Sequence, residues 1–264
     1  MTRGIATAIL AFSALVACGG SSAPPAAPLQ SSAGIWSGEA VDTATGVHTP
    51  LIGASLPSGE TSLFANQDCH VYAGNLAITG DRGALTGVAI AKDICYGDQD
   101  FVRLGWTPNV PGYGVFETTI QGSGTISTRS AMSLSYRTGT GNAGNIAMRF
   151  WDLYDRPAAL VSLAGTYANG ARLSITIAAD GSFSGTEITT PLLVQVTNSY
   201  SGQLRVIDPA KNLYRVSITR NAYTYTGFAY LADSAPGKAN DAVVIFARQS
   251  GGGNGALVHY WIRV

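Results

Sequence analysis

Apolar and polar residues alternate with a period of two along segment after segment of this chain. In RLSITIA, Leu173, Ile175 and Ile177 face one way while Ser174 and Thr176 face the other. Tyr214, Val216 and Ile218 alternate with Arg215, Ser217 and Thr219, and Met132, Leu134 and Tyr136 with Ser133, Ser135 and Arg137. Successive strand side chains point to opposite sides, so each segment has one dry and one wet face, as in an antiparallel sheet with one side on a core. Helical periodicity is nearly absent. The breaks fall at turn residues: Asp180-Gly181 separates two such runs, and Gly80-Asp81-Arg82-Gly83 two more. Composition agrees, with 32 glycines in 264 residues, 12% charged residues and plentiful Thr, Ser, Val, Ile and Tyr.

The chain also repeats itself. Gly34-Ile35-Trp36-Ser37-Gly38 resembles Gly165-Thr166-Tyr167-Ala168-Asn169. Further on, YAGNLAIT (72–79) aligns without a gap with YSGQLRVI (200–207), placing Tyr72 on Tyr200, Gly74 on Gly202 and Leu76 on Leu204. Both matches occur in the same order, which points to a duplication. Each half offers about eight short strands. In the second half these are GTYAN, RLSITIA, SFSGTEI, SYSGQLRVI, LYRVSIT, YTYTGFAYL, AVVIFAR and ALVHYWIRV. The first half, from GIWSGEA to NIAMRFWDLY, carries an irregular insertion from Asp93 to Gly114. The expected fold is all-β: tandem antiparallel up-and-down β-barrels in two related halves, since closure removes exposed sheet edges. A single large β-sandwich is the alternative.

The first seventeen residues, MTRGIATAILAFSALVA, have one arginine and then a short apolar run, the layout of a signal peptide. The run is too short to span a bilayer, which needs about 20 apolar residues. Gly19 to Ala33 is uncharged and nearly free of large apolar groups, so it reads as a flexible tether reaching roughly 40 Å at about 3 Å per residue. The expected division is a signal peptide at 1–17, Cys18 and tether at 18–33, one barrel-like domain at 34–158 and a second at 159–264.

Net charge is zero, which argues against nucleic acid as a partner. The charge is uneven, however: residues 34–158 carry eleven acids and seven bases, and 159–264 five acids and eight bases. The two halves are thus matched in sign for docking on each other. Besides Cys18, Cys69 and Cys95 remain. In an oxidising compartment two such thiols usually pair, and a Cys69–Cys95 disulfide bond would contribute roughly 3 kcal/mol. Two free buried thiols are the alternative.

Signs of catalysis are sparse. His48, His70 and His259 show no zinc-ligand spacing, so no metal and no cofactor is expected. No G-x-S-x-G elbow occurs, and Gly181-Ser182-Phe183-Ser184-Gly185 reads as a strand after a turn. Asp93, Asp98 and Asp100 lack the spacing of a calcium loop, and Gly251 to Gly255 reads as a hairpin connection. The protein is therefore read as no enzyme, with a hydrolase triad assembled from distant strands as the open alternative. Trp106, Tyr113 and Phe116, beside Pro108 and Pro111, form the candidate partner-binding loop. Tyr223, Tyr225 and Tyr230 read as core or barrel-surface residues.

Leu15-Val16-Ala17-Cys18 resembles the lipobox of bacterial lipoproteins at all four positions. The resemblance implies cleavage before Cys18, a diacylglycerol on its sulfur and acyl chains of the palmitate class, which together anchor stably to a membrane. An ordinary cleaved signal with an incidental cysteine is the alternative. Gly19 in place of Asp implies the outer membrane, periplasmic or surface-exposed. Gly34-Ile35-Trp36 is similar to the G-x-W start of lipocalins and avidins, and Arg263 to the basic residue that packs under that aromatic in lipocalins. In layout the chain also resembles the barrel-bearing surface lipoproteins of the transferrin-binding protein B class. These likenesses imply a non-enzymatic, lipid-anchored envelope protein presenting a binding or structural barrel surface to an unknown envelope or surface protein. The alternative is a lipocalin-like carrier of a small apolar ligand.

Overall fold

A computed structural model describes residues 30–65, 70–91, 117–169, 172–189, 195–251 and 256–264. Strands β1 (Gly34–Asp42), β2 (His48–Ser55), β3 (Glu60–Ala65), β4 (His70–Thr79), β5 (Arg82–Ala91), β6 (Glu117–Ser127), β7 (Ala131–Thr138) and β8 (Ala143–Trp151) form the first sheet. Each pairs antiparallel with its neighbour in sequence, and β1 pairs with β8 from Ile35↔Trp151 to Asp42↔Gly144, so the sheet closes. A 3-10 turn (Asp152–Asp155) and a one-turn helix, α1 (Leu160–Leu163), lead to the second sheet. That sheet comprises β9 (Gly165–Asn169), β10 (Leu173–Ile177), β11 (Ser182–Thr189), β12 (Val196–Val206), β13 (Tyr214–Arg220), β14 (Tyr223–Ala232), β15 (Ala242–Gln249) and β16 (Ala256–Arg263). It also closes, through Ile262↔Ala168 and Arg263↔Tyr167. The molecule is thus two closed eight-stranded up-and-down barrels rather than one sandwich.

The alternation sets which side chains fill each barrel. Leu173, Ile175 and Ile177 are buried while Ser174 and Thr176 are exposed. Trp36, Leu51, Leu76, Ile120 and Met148 fill the first barrel, and Tyr167, Ile175, Tyr214, Ile245 and Trp261 the second. Each such side chain contributes about 1.5–3 kcal/mol by leaving water. The β10–β11 hairpin turns at Asp180-Gly181, where Gly181 takes φ 82° and the Asp180 carboxylate accepts from the Ser182 amide and hydroxyl at 2.9 and 2.7 Å.

The repeated sequences occupy equivalent places. Gly34 and Gly165 open the first strand of each barrel, and Tyr72 and Tyr200 lie on the fourth. Tyr72, Leu76, Tyr200 and Leu204 all point inward. Gly74 and Gly202 lie between them, and each lets the neighbouring strand approach closely. A Cβ on Gly74 would stand 2.1 Å from the Thr86 carbonyl oxygen, and one on Gly202 would stand 2.2 Å from that of Ser217. The entry to each barrel is also pinned alike. Trp36 Nε1 donates to the Ser32 carbonyl at 2.9 Å, and the Tyr167 hydroxyl donates to the Leu163 carbonyl at 2.7 Å, both four residues back.

Arg263 does not pack under Trp36, as the G-x-W likeness implied. Its guanidinium lies 5.4 Å from the centre of the Tyr167 ring and donates to the Tyr167 hydroxyl at 2.8 Å. The reason is topological: the closing strand of a barrel neighbours the first strand of that same barrel. The place over Phe150, the ring packed edge-on against Trp36, is taken by Arg129 at 5.1 Å.

A third apolar cluster joins the barrels. Ile35, Phe64, Val71 and Ile90 on the outer wall of the first barrel belong to one buried cluster with Phe228, Tyr230, Val244, Phe246 and Val258 on the outer wall of the second. Phe246 lies 6.4 Å from Phe64 and 6.0 Å from Tyr230, ring centre to ring centre. This explains why β14, β15 and β16 lose the wet–dry alternation: residues on both faces are buried. Asn212 ties the linking segment to β14, donating to the Leu153 and Leu231 carbonyls at 3.1 and 2.7 Å and accepting from the Leu231 amide at 2.9 Å. At the edge, Glu60 meets Arg215 and Glu117 meets Arg248. In both pairs the acid comes from the first half and the base from the second, as the charge imbalance predicts.

Candidate functional site

Among the described residues, buried polar and charged groups gather inside the second barrel, toward the end bearing the β13–β14 turn. Glu187 on β11, Tyr200 and Asn198 on β12, Arg220 on β13 and His259 on β16 all occupy inward positions. Register brings them together: Glu187 lies opposite Asn198, and Tyr200 opposite Arg220. The Tyr200 hydroxyl donates to Glu187 Oε2 at 2.7 Å, and Arg220 Nη2 donates to the same oxygen at 3.3 Å. The guanidinium lies 5.8 Å from the centre of the Tyr200 ring. The His259 ring meets Tyr200 edge-on at 5.4 Å, with Trp261 beyond it at 5.7 Å and Phe183 5.6 Å from Trp261. Asn221, in the left-handed region at φ 54° in the β13–β14 turn, donates to the Asn198 side-chain oxygen at 2.8 Å.

Burying an ion pair costs several kcal/mol per ion before attraction repays it, so such a pair is weak evidence for a purely stabilising role. The Glu187 side chain is 8% exposed and that of Arg220 15%. Burial works against the Arg220 charge, but Tyr200, Glu187 and Tyr225 outweigh it and hold the guanidinium above its ordinary pKa. The cluster stands over an aromatic floor and offers donors and acceptors side by side, an arrangement for recognising a polar group.

The outer wall of the first barrel away from the seam is different. Two open recesses of about 710 and 580 Å³ lie on it, lined mainly by short polar side chains such as Gln121, Ser135 and Asn145 in one and Ser37 and Ser133 in the other.

The residues singled out from sequence are placed as follows. Cys18 and the rest of the lipobox, Cys69, Cys95 and the loop residues Trp106, Tyr113 and Phe116 lie outside the described residues, as do Asp93, Asp98 and Asp100. His48 is on the outside of the first barrel, its Nδ1 3.0 Å from Glu39 Oε2, and His259 is inside the second, so these two histidines are not brought together. Tyr225 is core, Tyr230 is in the inter-barrel seam and Tyr223 is exposed. Among the described residues no three His, Cys, Asp or Glu side chains are grouped to hold a metal ion, and no helix is long and apolar enough to cross a membrane. Glu187, Tyr200 and Arg220 were missed as a site, although the signal was there. Phe183-Gly185-Glu187 and Val216-Ile218-Arg220 each end a dry face on a charge.

The chain matches no protein-family model, no curated protein and no solved structure.

Proposed function

We propose that this is a non-enzymatic, lipid-anchored envelope protein that holds a rigid pair of barrels away from the membrane as a binding module. Acyl chains on Cys18 provide the anchor, residues 19–29 the reach, and the barrels the recognition surface, with an envelope or surface component as partner. Residues 30–33, expected to belong to the tether, are instead held against the first barrel through Thr128, Trp36 and the seam cluster. The observation that carries this reading is the combination of filled barrels with a shared buried seam, which favours a rigid recognition surface over a conduit. Polar recognition groups then gather at one end of the second barrel. A carrier of a small apolar ligand draws support from barrel closure, but side chains as large as Trp36, Trp261, Tyr167 and Tyr214 already occupy the interiors.

The test is membrane fractionation of the native protein beside Cys18→Ser, with mass spectrometry of the mature amino terminus. Acyl chains on Cys18 and release of the variant into the soluble fraction are expected. An unmodified thiol, or a variant that still pellets with the outer membrane, overturns the anchored reading.

A further inference from the structure

We propose that the two recesses on the outer wall of the first barrel form one trough that binds a linear polysaccharide bearing carboxylate groups. The proposal rests on the binding-module reading and deepens it by naming the partner's chemistry.

Register lines the trough in rows. Thr86, Gln121 and Arg137 lie abreast on β5, β6 and β7, and Ser123, Ser135 and Asn145 lie abreast on β6, β7 and β8. Both rows line the larger recess. The next positions along β7 and β8, Ser133 with Ala147 and Ala131 with Arg149, line the smaller one together with Ser37 and Glu39 of β1. The recesses are thus consecutive along the same two strands. Arg149 is level with Ala131, six residues from Arg137. At a strand rise of about 3.3 Å per residue, the two arginines stand about 20 Å apart along the trough.

The second barrel supplies an internal comparison. Its sixth to eighth strands, β14, β15 and β16, carry side chains such as Tyr230, Phe246 and Val258 on the outer wall, and these are buried in the seam. The same wall of the first barrel is open and carries hydroxyls, amides and guanidiniums instead. A barrel can therefore use this wall for contact, and the first copy has given it a different chemistry.

That chemistry selects the occupant. None of the exposed large apolar side chains among the described residues lines either recess, which argues against an apolar ligand. A closed wall has no free strand edge, so an extended peptide cannot add to it through backbone hydrogen bonds. The side chains suit a hydroxylated chain. Asn145 Oδ1 accepts from the Ser135 hydroxyl at 2.8 Å, which leaves the Asn145 amide nitrogen to donate outward. The arginines add charge. Arg82 and Arg129 each meet a carboxylate, whereas Arg137 and Arg149 are exposed and form no ion pair among the described residues. Glu39, the acid of the smaller recess, is engaged by His48 Nδ1 at 3.0 Å. The trough is thus positive on a half of the chain that is acidic as a whole. Guanidinium forks match carboxylates, and two of them placed apart match acids repeated along a polymer.

The experiment is calorimetry on the full-length protein in mild detergent. The probes are linear hexamers of galacturonate, mannuronate and guluronate, a neutral galactose hexamer and hexaglutamate. Saturable binding of at least one uronate is expected, weakening as salt rises. The neutral hexamer and hexaglutamate should each bind about tenfold more weakly or worse. The double variant Arg137→Gln/Arg149→Gln should lose about tenfold, as two exposed charge contacts predict. Ser135→Trp fills the larger recess without changing charge and should lose at least as much. Ser184→Trp, on the exposed wall of the second barrel, should bind as the parent does. If no uronate hexamer binds, if the galactose hexamer or hexaglutamate binds as tightly, or if the double arginine variant keeps the parent's affinity, the proposal is wrong. The Cys18→Ser fractionation is scored separately, so failure of the anchor and failure of the trough are told apart.

Discussion

Arg215 and Glu60, one from each barrel, meet through two side-by-side hydrogen bonds of 2.6 and 2.8 Å, with the Arg215 guanidinium also 4.8 Å from the centre of the Phe228 ring. The pair sits at the rim of an apolar seam, and rim and seam differ in energetic weight. Side-chain exposure of 38% and 46% leaves both partners in contact with water, which screens their attraction.

Arg215→Ala should therefore be mild. A loss of roughly 0.2–1 kcal/mol is expected for an exposed pair. Urea denaturation at low and high salt checks it: the difference from the parent should shrink as salt rises.

Phe246→Ala should be severe. The ring is fully buried between Phe64 and Tyr230, and large-to-small changes at such a site cost about 3–5 kcal/mol. Because the seam is common to both barrels, the parent should denature in a single transition followed equally by tryptophan fluorescence and far-UV dichroism. The variant should separate the two signals or move both midpoints together by several-fold more than Arg215→Ala does.

Gly202→Ala tests the close approach of β12 to β13. Its methyl group would stand 2.2 Å from the Ser217 carbonyl oxygen and 2.3 Å from the Phe183 ring. Overpacking of this kind costs typically about 1–3 kcal/mol. A lower melting temperature is expected, whereas alanine at Gly80, whose Cβ meets nothing within 4 Å, removes no space and strains only the φ of 61°.

Acid sensitivity should be traceable to Asp233. Arg156 bonds both its carboxylate oxygens, at 2.6 and 2.7 Å, and holds its pKa at about 2. The folded value lies below the unfolded one of about 3.9. The stabilisation is therefore complete above about pH 4 and is lost as pH falls from there toward 2. With the side chain 35% exposed, solvent screening holds its size to about 1 kcal/mol. Asp233→Asn should lower stability at neutral pH and match the parent near pH 2, as followed by denaturant midpoints across that range.

Much of this fold was legible because strands with one wet face announce themselves. Leu173-Ile175-Ile177 and Met132-Leu134-Tyr136 mark both the strand and its inner side. The duplication was legible because Tyr72-Gly74-Leu76 and Tyr200-Gly202-Leu204 do the same inward work in both copies. The seam was less legible. Continuous apolar stretches such as AVVIFA identify a strand but do not say what lies on its second face. The polar cluster was hardest, since Glu187, Tyr200, Arg220 and His259 sit on four strands and only register makes them neighbours. Arg263 shows the same limit from the other side: its aromatic partner was foreseen as a type of residue, but closure selected Tyr167 over Trp36.

Closure of the first barrel satisfies its own backbone long before its surface is finished. Phe64, Val71 and Ile90 need the outer faces of β14, β15 and β16, which come more than a hundred residues later in the chain. During synthesis the leading barrel would thus be complete in its strand-to-strand hydrogen bonds yet still greasy on one flank. A holdase that grips hydrophobic surface would keep hold of it until the final hairpin docks, making release from the chaperone a report on the whole molecule.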